Sequence, residues 1–169
     1  MSLLNNPERE LVTLLLNSNK YLRWRKRVEA AGNEILKLDV LTVVSRTPET
    51  WYTALLDCIL LTPEGNRISR CVTIRGESVV VIPLLQCVDD NQYYTVMVEQ
   101  RCISDGSLHL GFPAGGVDDC DDLRLAACQE LMEETGLVIS PNDLVELSGG
   151  ITLISSLSDD IIYYRGVVI

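Results

Sequence analysis

Between residues 35 and 99 the chain repeats one arrangement five times: an apolar, β-branched run, then a turn. The runs span 35–44, 52–61, 68–74, 78–88 and 93–99, and all are rich in Val, Ile, Leu, Tyr and Thr. Crowding at Cβ disfavours helix for such residues and suits a pleated sheet. Turn residues such as Pro63-Glu64-Gly65-Asn66 and Asp89-Asp90-Asn91 separate the runs. Helical spacing is confined to the two flanks. Leu11, Leu14, Leu15, Tyr21, Trp24 and Val28 predict a helix from Pro7 to about Ala31, broken near Asn17-Ser18-Asn19. A Gly/Asp loop over 111–122 leads into a second helix, and strands are expected near 144–154 and 161–169. Strands that dominate, with one helix embedded late, make the class α+β.

A chain of 169 residues can bury a real core. Hydrophobic residues make up 47% of it, yet no apolar run approaches the ~20 residues of a membrane span. The first ten residues carry Glu8 and Glu10 and lack the basic start of a secretory signal. The expected setting is therefore the cytosol, with no membrane partner. Six cysteines, none spaced as Cys-x-x-Cys and most within apolar runs, read as reduced core thiols. His109 is the single histidine, which excludes a zinc site built on paired imidazoles. The formal charge of −10 opposes nonspecific binding of nucleic acid, which is driven by phosphate neutralisation. The basic cluster Arg23, Arg25, Lys26 and Arg27 reads as a solvated helix face near a C-terminus. An acidic protein can still bind phosphates, provided it binds cations first.

The segment from Gly115 to Leu137 is built for that. Asp121 and Asp122 precede a helical run and can cap its free N–H groups, while Gly136 follows its last turn. Leu125, Cys128 and Met132, with Leu131 alongside, are expected to form the apolar stripe. Glu130, Glu133 and Glu134 then share the opposite face within one turn, where Ala126 and Ala127 would leave room for a ligand. Each like-charged pair costs a few tenths of a kcal/mol, and the C-terminal turn is the wrong end of the helix dipole for anions. A compensating cation resolves both penalties, and carboxylate oxygens suit magnesium or manganese.

The same segment resembles the Nudix box: Gly, five residues, Glu, seven residues, then Arg-Glu-apolar-any-Glu-Glu-any-Gly-apolar. Gly115, Asp121, Gln129, Glu130, Leu131, Glu133, Glu134, Gly136 and Leu137 occupy those positions with the spacing intact. Asp121 stands for the first Glu, and Gln129 stands for the Arg that orients the carboxylates. A neutral amide can still hydrogen-bond a carboxylate, without charge assistance. Val98-Glu99-Gln100 before Pro113-Ala114-Gly115-Gly116 looks like the ADP-ribose, ADP-sugar and UDP-sugar pyrophosphatase branch. Arg75-Gly76, and an acidic pair before Tyr164-Arg165-Gly166, fit that branch too. Cys102 stands where the branch has an arginine, and Gly111 where it often has Glu.

The resemblance implies a Nudix-type α/β/α sandwich with a mixed sheet over residues 76–169, continuing beyond Ile169. It implies an added N-terminal helix and antiparallel strands over residues 1–75, used for homodimerisation. Glu130, Glu133 and Glu134 would be catalytic and would hold Mg2+ or Mn2+, joined by the Ala114 carbonyl. Arg75, Gln100, Arg101, Gly115 and Gly116 would contact substrate, with Asp159 or Asp160 as a candidate general base. The implied reaction is hydrolysis of a nucleoside-diphosphate sugar to nucleoside monophosphate and sugar phosphate. The alternative is a Nudix-fold protein that binds nucleotide or a partner with weak or no catalysis.

Overall fold

The computed structural model describes residues 7–47, 50–117 and 122–169, apart from the side chains of residues 7, 8 and 46. The chain divides into two compact units: Met1–Gly76 with Thr152–Asp160, and Glu77–Ile151 with Ile161–Ile169.

The first unit opens with helices α1 (Pro7–Leu16) and α2 (Asn19–Ala30). The break falls where the Asn-Ser-Asn sequence predicts it. Ser18 caps α2 by accepting from the Tyr21 N–H at 3.3 Å, and its hydroxyl donates back to the Leu15 carbonyl at 2.7 Å. Strands β1 (Glu34–Thr47), β2 (Thr50–Leu61) and β3 (Arg67–Ile74) follow as an antiparallel sheet in sequence order. On β2 every second side chain, Ala54, Leu56 and Cys58, is buried, the period-two pattern of a half-buried strand. These meet Leu15, Tyr21 and Trp24 from the helices and Ile74 from β3 to form one core.

The five described cysteines are free thiols, as expected, but only Cys58 is a core residue. Cys71 is exposed because it lies on β3, an outer strand whose residues 67–71 all face solvent. Burial, and then the nearby Asp57 and Cys71, push the Cys58 thiol up to about 11. The basic cluster also differs from a uniformly solvated face. Arg25 does pair with Glu29 one turn on, at 2.7 Å, but Arg27 reaches the buried carboxylate of Asp159 at 3.2 Å.

The second unit is organised around β4 (Glu77–Gln86). The last strand of the chain, β11 (Ile161–Val168), runs parallel to it from Ile161 opposite Glu77 to Val168 opposite Leu84. On the other edge β8 (Ala114–Gly116) is antiparallel to Ser78–Val80, and β5 (Tyr93–Thr95) to Leu84–Gln86. Strand β9 (Val145–Glu146) adds to β11, and β10 (Ile151–Thr152) ends the row. The sheet is therefore mixed.

The expected strand 93–99 is split. Its second part becomes β6 (Val98–Arg101), which pairs with β7 (Leu108–Gly111) in a separate hairpin. The loop expected over 111–122 contains β8, because the open edge of β4 offers partners for its backbone. Residues 118–121 of that loop, with the cap position Asp121, lie outside the described residues.

Helix α3 (Leu123–Thr135) packs against β4 and β8. Asp122 caps it, its side chain accepting from the N–H groups of Arg124 (2.8 Å) and Leu125 (3.4 Å). Gly136 ends it at φ 77°, a left-handed conformation that a side chain would oppose. The buried face matches the predicted stripe only in part: Leu131 is fully buried and Cys128 packs against the same core. Ala126, Ala127 and Leu131 are buried against Val79, Val81, Val117, Leu144 and Val167, while Leu125 and Met132 are half exposed. The two alanines do not leave room for a ligand. Their small side chains bring the helix close to the sheet, and that close approach selects which face is covered.

Candidate active site

Two of the acidic residues border the covered face of α3, Glu130 half-buried and Glu134 exposed. At about 100° per residue, Glu130 and Glu134 fall between Ala126 and Ala127 on the helical wheel. They thus project from the side that meets the sheet, not from the opposite side, as the expected stripe would have required. What they meet is β8. The carboxylate of Glu130 occupies the position where a β-carbon on residue 115 would sit, so only glycine leaves space for it. One residue earlier, the Ala114 N–H donates to Oε2 of Glu134 at 3.0 Å. Two carboxylates a turn apart converge on one two-residue stretch of backbone.

That stretch is held firmly. Ala114, Gly115 and Gly116 lie opposite Val80, Val79 and Ser78 on β4. Beyond them the Val81 N–H donates to the Pro113 carbonyl (2.9 Å), and the Val117 N–H to the Glu77 carbonyl (2.8 Å). Pro113 and Val117 are fully buried at its two ends. The strand therefore places backbone against the carboxylates without relying on a flexible loop.

Glu133 behaves differently. Exposed like Glu134, it does not reach β8: the amide of Gln129 donates to its Oε1 at 2.8 Å. The residue in the arginine position of the box thus orients a carboxylate, but that of Glu133. Among the described residues, the three glutamates do not bring ligand atoms all within 4.8 Å of one another. The converging pair is Glu130 with Glu134.

The remaining expected site residues are placed as follows. Gly116 continues β8 beside Gly115. Gln100 and Arg101 lie exposed on β6, where the Arg101 guanidinium donates to the Gly106 carbonyl at 2.6 Å. Arg75 belongs to the first unit. Its guanidinium donates to the Tyr52 hydroxyl at 3.0 Å and lies 3.8 Å from Asp160. Asp159 is not free to act as a base. Its buried side chain accepts from the N–H groups of Arg75 (2.7 Å) and Gly76 (3.0 Å) and from Arg27 (3.2 Å). It is a structural tie, satisfied by donors that sequence spacing could not bring together.

Two arrangements were missed by sequence reasoning. Arg124 donates to the carbonyls of Pro141 (2.8 Å) and Leu144 (3.0 Å), fastening the 3-10 turn Pro141–Asp143 to the start of α3. On the β6–β7 hairpin, the ligand atoms of Cys102, Asp105 and His109 all lie within 4.8 Å of one another. Hydrogen bonds from Ser104 hold the Cys102 thiol below its ordinary range. A histidine read as solitary has partners once the hairpin closes.

Chemically, the converging pair offers only hard oxygen donors, seated against a strand that a single β-carbon would obstruct. Such a donor set fits a hard divalent cation. No protein-family model matches the sequence, and no curated protein does. Among solved structures the chain is similar to a crystal structure of an ADP compounds hydrolase, at 23% identity and a TM-score of 0.58. The match covers 80% of this chain and 66% of that one, so the chain spans just under two thirds of its neighbour's length. The likeness is one of fold: this chain has a mixed α+β fold of the Nudix type.

Proposed function

We propose that this chain is a pyrophosphohydrolase that cleaves a nucleoside-diphosphate sugar of the ADP-ribose, ADP-sugar or UDP-sugar class. The observation that carries this reading is the convergence of Glu130 and Glu134 on the Ala114–Gly115 backbone. The box spacing and the fold shared with a protein described as an ADP compounds hydrolase support it. Glu130 and Glu134 would hold Mg2+ or Mn2+, with the Ala114 carbonyl and Glu133 as further ligands. Such a cation supplies charge neutralisation at the diphosphate and lowers the pKa of a bound water. Gly115 and Gly116 let the substrate's phosphates approach the strand closely. Gln129 keeps Glu133 oriented through an amide-to-carboxylate hydrogen bond that lacks a cationic donor. The products are a nucleoside monophosphate and a sugar phosphate.

A panel of sugar nucleotides incubated with the protein and Mg2+ tests the reading, with monophosphate release as the readout. Turnover that falls by about 100-fold or more in Glu134→Gln supports it. Binding across the panel with no release overturns it in favour of a nucleotide-binding protein without catalysis. The observations that favour this second reading are the uncharged Gln129 and an Arg101 already engaged by Gly106.

A further inference from the structure

We propose that the β6–β7 hairpin carries a second metal site, in which Cys102, Asp105 and His109 bind Zn2+ or a similar borderline divalent ion. The site stands apart from the glutamate pair in residues and in chemistry. Its donors are one thiolate sulfur, one carboxylate oxygen and one imidazole nitrogen, a set that selects zinc-like ions over magnesium. All three ligand atoms lie within 4.8 Å of one another, and His109 Nε2 is 3.1 Å from Asp105 Oδ2. Tetrahedral zinc, with bonds of about 2.0–2.3 Å, keeps its ligand atoms about 3.3–3.6 Å apart, so side-chain adjustment alone closes the site.

The hairpin supplies the framework. Cys102 directly follows β6, His109 lies within β7, and Asp105 sits in the turn between them. The Cys102 N–H donates to the Ser107 carbonyl and the Gly106 N–H to the Cys102 carbonyl, each at 2.9 Å. The turn is thereby fixed before any ion arrives. Ser107 N–H (3.0 Å) and hydroxyl (2.8 Å) contact Asp105 Oδ1, leaving the other carboxylate oxygen toward the imidazole. The Ser107 hydroxyl also lies 2.6 Å from His109 Nε2, and Ser104 Oγ lies 2.9 Å from the Cys102 sulfur. The Ser104 hydroxyl can keep its bond to a metal-bound thiolate, whereas an ion on Nε2 would replace the Ser107 contact there. Three protein ligands leave a fourth position for water, so a second histidine is not required. A bound ion would lock the hairpin as a cross-strand staple.

Titrating Co2+ into the reduced full-length chain tests the site through thiolate-to-cobalt charge-transfer absorption. The expected result is a band that saturates at one equivalent and is displaced by Zn2+. It should vanish in Cys102→Ser and in His109→Ala and persist in Glu134→Gln, which separates it from the glutamate pair. No band in the unmodified protein, or a full band in either hairpin variant, overturns the proposal. Alkylation of Cys102 in the unmodified protein, read by mass spectrometry, gives a second readout independent of any variant. Zn2+ should slow it about tenfold, because a metal-bound thiolate is a poor nucleophile, whereas Mg2+ should not. Equal rates with and without Zn2+ overturn it as well.

Discussion

Gly115 concentrates the proposed chemistry into one atom that is absent. A β-carbon there collides with the end of the Glu130 side chain, which is flexible and can swing away. Gly115→Ala should therefore leave the fold intact while displacing a ligand. Metal affinity is expected to drop about 10–100-fold with little change in melting temperature, measured by Mn2+ titration and thermal denaturation. Cys58 offers a test of burial at the same scale. Its folded pKa is raised to about 11 from an ordinary 9.0. The unfolded thiol ionises first as pH rises, so stability is fully present below 9.0 and is lost through the interval up to about 11. Denaturation across that interval should show a downward slope, and Cys58→Ala should remove this residue's share of it.

At the scale of elements, α3 depends on small residues where it meets the sheet. Ala127 is fully buried in the core that contains Val79 and Val81. Ala127→Leu should destabilise the protein by about 1–3 kcal/mol, read from the urea midpoint, because extra methylenes force the helix off β4. The same shift would move Glu130 and Glu134 away from β8, so turnover should fall together with stability. In the first unit, Asp159 ties residues 158–160 to the end of β3 and to α2 through three donors. Asp159→Ala removes the acceptor of two backbone N–H groups and one partner of Arg27, at a cost of about 3 kcal/mol in the same measurement.

For the whole molecule, binding linkage gives the test of the cation site. Mg2+ at about 100 times its dissociation constant should add about 2.7 kcal/mol to stability, or about 5–10 °C in melting temperature for a chain of this size. Glu134→Gln should abolish the increase. Homodimerisation through the first unit is our proposal for its use. Strand β1 is an outer strand of 14 residues that exposes Leu36, Leu41 and Val44, an edge and face suited to a second copy. Sedimentation should show a dimer that Leu41→Asp dissociates. A monomer in the unmodified protein would remove dimerisation from the account. Among the described residues no helix is long and apolar enough to cross a membrane.

Local chemistry made several elements legible from the chain alone. The helix break at Ser18, the strands from β1 to β4, the Asp122 cap and the Gly136 stop all follow from short-range sterics and hydrogen bonding that a few adjacent residues encode. The spacing of Glu130 and Glu134 likewise places them on one face of a helix, whatever that helix packs against. Which face becomes buried was not written locally. Of the expected stripe the core covers Leu131 and packs Cys128, but it leaves Leu125 and Met132 half exposed and covers the alanines instead, since burial depends on how closely two surfaces approach. Nor could spacing show that Glu130 seats on Gly115, that Asp159 gathers Arg75, Gly76 and Arg27, or that His109 has Cys102 and Asp105 beside it. Those contacts join residues whose distance is set by strand register and chain crossing, and only the folded backbone fixes that.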